Sequence, residues 1–141
     1  MNFLLDTNIV SEWTKLRPDE RVAAWLAQQD EDRIFISVVT LAELRRGVER
    51  LPAGARHDRL DAWLTDQLHP RFEDRILPIN AKTADTWAWV SARGQAAGRP
   101  VSTMDGFLAA TAEQHDLTLV TRNTADFDVL GIRLINPWRP S

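Results

Sequence analysis

The sequence predicts an α/β fold built on a mainly parallel, five-stranded sheet with helices on both of its faces. Short aliphatic and β-branched runs alternate with longer stretches in which apolar residues recur at helical spacing. This alternation is typical of βαβ units, in which a crossover helix joins two parallel strands. No internal repeat or low-complexity segment interrupts the pattern.

Five runs of four or five residues are the predicted strands, at positions 2–5, 33–37, 75–79, 117–121 and 132–135. Helical spacing indicates helices around positions 22–26, 41–51, 60–68 and 81–97. Proline and glycine at Pro52 and Gly54 break one helical run, and Gly98 and Pro100 end another. None of these breaks is typical of a domain linker, so we expect residues 1–141 to form a single domain.

Composition restricts the possible chemistry. The 141 residues include no cysteine, which excludes a disulfide framework, a thiolate zinc site and a cysteine nucleophile. The first residues have neither a basic nor an apolar leader segment, and no apolar run approaches the roughly 18 residues that span a bilayer. We therefore expect a cytoplasmic protein that does not associate with membranes.

The charge balance at first argues against a tight nucleic-acid binder. Seventeen Lys and Arg against twenty Asp and Glu give a formal charge of −3, whereas proteins that bind nucleic acid are usually basic. The objection weakens if four of the carboxylates bind a cation. The rest of the chain then carries a formal charge of +1.

Four acidic residues lie near the carboxyl ends of predicted strands, where parallel sheets usually bind their ligands. They are Asp6 after the first strand, Glu43 in the helix after the second, Asp105 at the start of the helix before the fourth, and Asp126 after the fourth. Two carboxylates about 4 Å apart repel by roughly 4 kcal/mol at an effective dielectric of about 20, so such a cluster requires a cation. Oxygen ligands without cysteine or paired histidine favour Mg²⁺ or Mn²⁺ over zinc.

A hard divalent cation held by carboxylates suits phosphodiester hydrolysis. The cation can activate a water molecule and neutralise charge on the phosphate, while a carboxylate that is not fully engaged accepts the proton of the water. No covalent nucleophile is then needed.

Each acid also has a purely structural interpretation. Asp6 could cap the following helix, and Asp126 lies in a polar segment that favours turns. The segment from Thr40 to Glu43 has the spacing of a capping box, and Ser102 stands in the same relation to Asp105. Taken singly, none of the four signals is specific.

The ordered set of motifs LLDTN, TLAELRRG, STMDGFLAATA and TRNTADF resembles the PIN-domain family, and most closely its VapC and FitB toxins. The resemblance runs from Met1 to the terminal NPW motif that ends at Trp138. It implies a single PIN domain with a three-layer α/β/α sandwich, and a magnesium-dependent endoribonuclease that acts as the toxin of a type II toxin–antitoxin pair. It further implies a homodimer, a cognate antitoxin of the VapB or FitA kind, and contact with DNA only through that antitoxin.

By the same resemblance, Asp6 and Asp105 match metal-binding aspartates, Glu43 matches the acid that completes the site, and Asp126 matches the fourth acid. In some relatives the fourth acid instead lies at the position of Asn123. The polar residues expected to order the carboxylates or a water molecule are Thr7, Asn8, Thr121 and Asn123.

Two arginines are candidates for substrate binding. Arg45 and Arg46 follow Glu43 closely in the same predicted helix, and a guanidinium group pairs well with phosphate. A solvated helix face is the structural alternative for arginines of this kind.

Two other functions remain open from the residues. An aspartate after an apolar first strand also begins several phosphatases that use it as a nucleophile, although Asn8 stands where one such class has a second aspartate. The chain could also be a non-catalytic regulatory subunit that acts with a DNA-binding antitoxin, with the four acids serving as caps. Stabilisation by Mg²⁺ beyond general salt effects would argue against a pure binding module.

Overall fold

The computed structural model describes residues 1–139, so Pro140 and Ser141 lie outside the description. Its five strands are β1 (Phe3–Leu5), β2 (Ile34–Ser37), β3 (Ile76–Leu77), β4 (Thr118–Val120) and β5 (Leu134–Ile135). The α-helices are α1 (Thr7–Ser11), α2 (Glu20–Gln28), α3 (Val38–Glu49), α4 (Ala55–Trp63), α5 (His69–Arg71), α6 (Ala81–Ala96) and α7 (Thr103–Gln114).

The five strands form one parallel sheet in the order β3-β2-β1-β4-β5. The central strand β1 places Leu4 opposite Phe35 of β2 on one side and Leu119 of β4 on the other. The predicted parallel, five-stranded sheet is confirmed. Strand β3 is shorter than predicted. It ends before Pro78, because proline has no backbone N–H to donate to a neighbouring strand.

Helices cover both faces of the sheet, which confirms the three-layer α/β/α sandwich. Alternate residues of β1 point to opposite faces. Phe3 and Leu5 pack in one hydrophobic core, and Leu4 packs in the other. Both faces of the strand are buried, as is usual in parallel sheets.

Helix α3 begins earlier than the predicted stretch 41–51, because the Ser37 hydroxyl caps it by accepting the Val39 amide at 3.0 Å. It also ends earlier, at Glu49. The predicted stretch 60–68 is not a single α-helix. Helix α4 passes into a π-helical turn at Leu64–Leu68, whose terminal leucines are buried in the core. No helix within residues 1–139 is long and apolar enough to cross a membrane.

Candidate active site

Asp6 lies at the centre of the carboxyl edge of the sheet. Its amide donates to the Val120 carbonyl at 2.9 Å, which joins the end of β1 to the end of β4. One carboxylate oxygen accepts the Thr7 amide at 2.7 Å and so caps α1, as the structural interpretation expected. The other oxygen accepts the Thr121 hydroxyl at 2.8 Å, so both oxygens of this buried side chain are oriented.

Glu43 is connected to Asp6 through one intervening residue, Thr7. Its Oε1 accepts the Thr7 hydroxyl at 2.9 Å, while the Thr7 amide binds Asp6. The capping-box interpretation of Glu43 is wrong, because α3 is capped by Ser37 and Glu43 lies in the helix interior, well beyond the first turn. Thr7 therefore joins two acids that are 37 positions apart in sequence.

Asp105 and Asp126 lie before and after strand β4 in the chain. Asp105 lies in the first turn of α7, where its amide donates to the Ser102 hydroxyl at 3.3 Å, so the cap proposed for this helix is present. Asp126 ends a short 3₁₀ turn, Thr124–Asp126, that follows β4. Asp105 is half-buried and Asp126 is exposed.

The four carboxylates influence one another electrostatically. Burial raises the pKa of Asp6, and the negative charges of Glu43 and Asp126 raise it further, against the lowering effect of hydrogen bonds from Thr121 and Thr7. Burial also raises the pKa of Asp105, with added repulsion from Asp6 and Asp126. The structure therefore places Asp6 within electrostatic range of the other three acids, which are distant from it in sequence.

The donor set fits a hard divalent cation, since every candidate ligand is a carboxylate oxygen. No three His, Asp or Glu side chains of residues 1–139 are grouped closely enough to hold one ion among them. Direct ligation by one or two carboxylates, with water completing the shell, is the usual arrangement for Mg²⁺. The site is therefore an open cluster and not a closed protein cage.

All four predicted flanking residues are connected to Asp6. Beyond the contacts of Thr7 and Thr121, the Asn8 side-chain amide lies 3.5 Å from Asp6 Oδ2, at the limit of a hydrogen bond. The Asn123 amide donates to the Thr121 hydroxyl at 3.0 Å, so Asn123 acts on Asp6 only through Thr121. The side chain at position 123 is exposed.

The sequence pattern of the family described as the PIN domain matches residues 3–132. The chain belongs to the PIN-domain family.

Within that family the PIN domain resembles the VapC and FitB group, as its motifs predicted. It is 36% identical over 138 residues to a VapC ribonuclease of Sinorhizobium fredii, covering 98% of this chain and 99% of the relative. It is 38% identical over 135 residues to toxin FitB of Neisseria gonorrhoeae, covering 96% of this chain and 97% of the relative. A solved structure of FitAB bound to a DNA fragment superposes with a TM-score of 0.94 at 35% identity, covering 99% of this chain and 97% of that one.

The two arginines predicted to bind substrate differ in this PIN domain. Arg45 bridges α3 to the segment that follows, with its guanidinium group 2.5 Å from Asp61 and 3.1 Å from the Thr65 hydroxyl. Arg46 is exposed and has no side-chain partner within residues 1–139. Arg46 is thus the arginine of this pair whose charge is available to a ligand.

One cavity of the PIN domain that adjoins the candidate site was not predicted from the sequence. It has a volume of about 620 Å³ and opens beside Glu43 and Thr7. Its apolar lining comes mainly from α3 and α4, and consists of Leu44, Val48, Leu60, Trp63 and Leu64. Basic side chains in its lining are Lys15, Arg56 and Arg59. The sequence signal was the pair Arg56 and Arg59, which are three residues apart and so lie on one helix face.

Proposed function

We propose that this PIN domain, as a single domain spanning residues 1–141, is a magnesium-dependent endoribonuclease and the toxin of a type II toxin–antitoxin pair. The observation that carries the proposal is the buried position of Asp6 at the carboxyl edge, tied through Thr7 to Glu43, with other acids close enough to raise its pKa and that of Asp105. Unpaired carboxylates that raise the pKa of their neighbours destabilise a fold unless a cation neutralises them. The relative named a VapC ribonuclease supports hydrolysis of RNA as the reaction.

In this proposal Asp6 and Asp105 hold the cation, with Glu43 and Asp126 assisting, and Mn²⁺ can replace Mg²⁺. A bound Mg²⁺ supplies charge neutralisation at the phosphate and lowers the pKa of the attacking water. The water oxygen forms a bond to phosphorus and a carboxylate accepts a proton of the water, while the P–O bond to one sugar oxygen breaks and that leaving oxygen takes up a proton from solvent. Hydrogen bonds from two hydroxyl groups orient the carboxylates: Thr121 donates to Asp6, and Thr7 donates to Glu43.

The partner in this proposal is a cognate antitoxin of the VapB or FitA kind, which mediates any contact with DNA, and the toxin is a homodimer in the cytoplasm. The superposition on FitAB bound to a DNA fragment supports the partner. The cavity beside Glu43 suits an amphipathic segment of the antitoxin, because its lining combines apolar side chains with basic ones. Charge reversal by Arg56→Glu with Arg59→Glu is expected to weaken the complex, whereas Arg33→Glu is not.

Cleavage of end-labelled total RNA by antitoxin-free protein tests the activity. The assay is run with Mg²⁺, with Mn²⁺ and with EDTA, and includes Asp6→Asn. The matched control is Asp74→Asn, an exposed acid before β3 at the opposite edge of the sheet. We expect discrete fragments that require the divalent cation, persist in Asp74→Asn and disappear in folded Asp6→Asn. Equal cleavage by wild type and Asp6→Asn, or none by folded wild type across several RNA classes, would favour the non-catalytic regulatory subunit.

A further inference from the structure

We propose that a second, basic cavity on the other side of Asp6 binds backbone phosphates of the RNA. This inference rests on the proposed function, and it names the subsite that holds the strand next to the cleaved bond. The cavity has a volume of about 450 Å³, and three arginines contribute to its lining: Arg21, Arg122 and Arg139. The remaining lining residues are Asp19, Asn123, Asn136 and Trp138.

The cavity adjoins the carboxylate cluster through Arg122. This residue lies between Thr121 and Asn123, which form the hydrogen-bonded segment behind Asp6. The Arg122 amide donates to the Asn8 side-chain oxygen at 3.3 Å, which links the same segment to α1. A phosphate on the Arg122 guanidinium group would therefore be held by a segment that is hydrogen-bonded to Asp6.

The NPW motif, residues 136–138, contributes Asn136 and Trp138 to the lining and is hydrogen-bonded to the Arg122 segment. The Asn136 side-chain amide donates to the Arg122 carbonyl at 3.2 Å, and its side-chain oxygen accepts the Trp138 amide at 2.9 Å. The Arg122 guanidinium group lies over the Trp138 ring, 5.2 Å from its centroid. Stacking on an indole ring limits the orientations of the planar guanidinium group, which leaves its N–H edges available for phosphate oxygens.

The lining of the cavity has a net positive charge, because three arginines face one acid. Asp19 is the single acid in the lining, and its carboxylate caps α2 by accepting the Arg21 and Val22 amides while lying 3.7 Å from the Arg21 guanidinium group. Within residues 1–139, neither the Arg122 nor the Arg139 guanidinium group has an ion-pair partner. Other arginines of the chain, such as Arg93 and Arg133, are paired with Glu113 and Asp116.

A path for the strand continues from this cavity. A neighbouring cavity of about 660 Å³ shares Arg21, Asn136 and Arg139 with it and includes the half-buried Trp25 in its lining. Arginines that bind phosphates next to an aromatic surface that bases can stack on are typical of single-stranded nucleic-acid grooves. The order along the groove is then the carboxylates, the three arginines and the aromatic cavity.

Binding measured without cleavage tests the proposal. Fluorescence anisotropy of a short fluorescein-labelled single-stranded RNA is followed in EDTA over a salt series, with wild type, Arg122→Gln, Arg139→Gln and Arg122→Lys. The matched control is Arg33→Gln, an exposed arginine immediately before β2, at the amino edge of the sheet. We expect each glutamine variant of the cavity to weaken binding by about tenfold at low salt. Each should also reduce the slope of log affinity against log salt by about 0.7 per phosphate contact that is lost.

The lysine variant separates charge from folding. Arg122→Lys keeps the charge, so it should retain the wild-type salt slope while losing part of the affinity. Thermal melts should give a similar Tm for all variants, which shows that the loss of binding is not a loss of folding. Glutamine variants that bind RNA as tightly as Arg33→Gln, or a wild type that binds no RNA at low salt, would overturn the subsite. RNA binding that depends on the arginines, together with no cleavage in any metal, would overturn the nuclease proposal and leave the subsite standing.

Discussion

Asp6 and Glu12 are two buried carboxylates in the same stretch of chain after β1, but their surroundings have opposite effects. Their exposed fractions are 7% and 3%. Burial raises the pKa of Glu12 too, but hydrogen bonds from the Asp19 amide at 2.9 Å and from Lys15 outweigh it and lower the pKa overall. At Asp6 the charged neighbours are Glu43 and Asp126, and the pKa is raised. Burial is thus common to both, and the sign of the neighbouring charge separates a structural acid from a candidate ligand.

The same difference separates the two edges of the sheet. Near the amino edge, Glu31 accepts two hydrogen bonds from Arg71 at 2.6 and 3.2 Å, and this contact lowers its pKa. At the carboxyl edge, Asp6 and Asp105 face other acids. Carboxylates that are paired with a cationic side chain stabilise the fold. Carboxylates whose charged neighbours are other acids are candidate ligands for a cation.

The largest expected effect is on cleavage. Asp105→Asn removes a charge from the unpaired cluster while keeping the shape of the side chain, and we expect it to reduce RNA cleavage by about a thousandfold. Initial rates with Mg²⁺ measure the loss, and Asp74→Asn should retain wild-type rates. Retained cleavage in Asp105→Asn would remove Asp105 from the proposed site.

The next effect is on stability at the structural acid. Glu12→Gln removes the charge that Lys15 and the Asp19 amide stabilise, and we expect a loss of about 1 to 2 kcal/mol in the free energy of unfolding. Because the pKa of Glu12 is lowered by folding, its contribution is present above the ordinary value of 4.5 and is lost as the pH falls through the folded pKa.

Urea unfolding at a series of pH values measures that contribution, with the exposed Glu73→Gln as the control. The gap between wild type and Glu12→Gln should be largest at neutral pH and should narrow below pH 4.5. A gap that does not change with pH would show that the ion pair contributes nothing.

The smallest effect has the opposite sign. Asp105→Asn should raise the Tm of the metal-free protein at neutral pH by about 2 to 4 °C, because it removes one of several repelling charges. Since folding raises the pKa of Asp105, the protonated group favours the fold, and that stability is lost as the pH rises through the folded pKa.

Thermal melts in EDTA from pH 3 to pH 7 measure this effect. The gain in Asp105→Asn should therefore vanish below the ordinary value of 3.8, where the side chain is protonated in both states. A lower Tm for Asp105→Asn at neutral pH would show that the carboxylate stabilises the fold and would contradict the comparison.

Most of the fold could be predicted from the sequence, because the periodicity of apolar residues in a strand or helix is a local signal. The five strands and the parallel topology follow from apolar runs such as that of β1 and from the alternation with helices. The start of α3 was misjudged, because Ser37 gives the same capping signal as Thr40 and only the end of β2 decides between them. The π-helical turn at Leu64–Leu68 has no pattern of its own in the residues.

The candidate site was predicted in part for a related reason. Strand ends identified the four acids, and their motifs supplied Thr7 and Thr121. The pairing of Arg45 with Asp61 could not be predicted, because it depends on how α3 packs against α4. The basic cavity was missed because its arginines come from α2, from the segment after β4 and from the end of the chain, where no motif connects them.

Binding of Mn²⁺ tests the central claim most directly. Electron paramagnetic resonance counts free Mn²⁺ in titrations of wild type, Asp6→Asn, Asp105→Asn and Asp74→Asn. If the acids at the carboxyl edge form a cation site, wild type and Asp74→Asn bind Mn²⁺ equally, and binding weakens by at least about tenfold in the other two variants. Equal binding by all four proteins would contradict the account, because the coupled carboxylates would then not be the ligands.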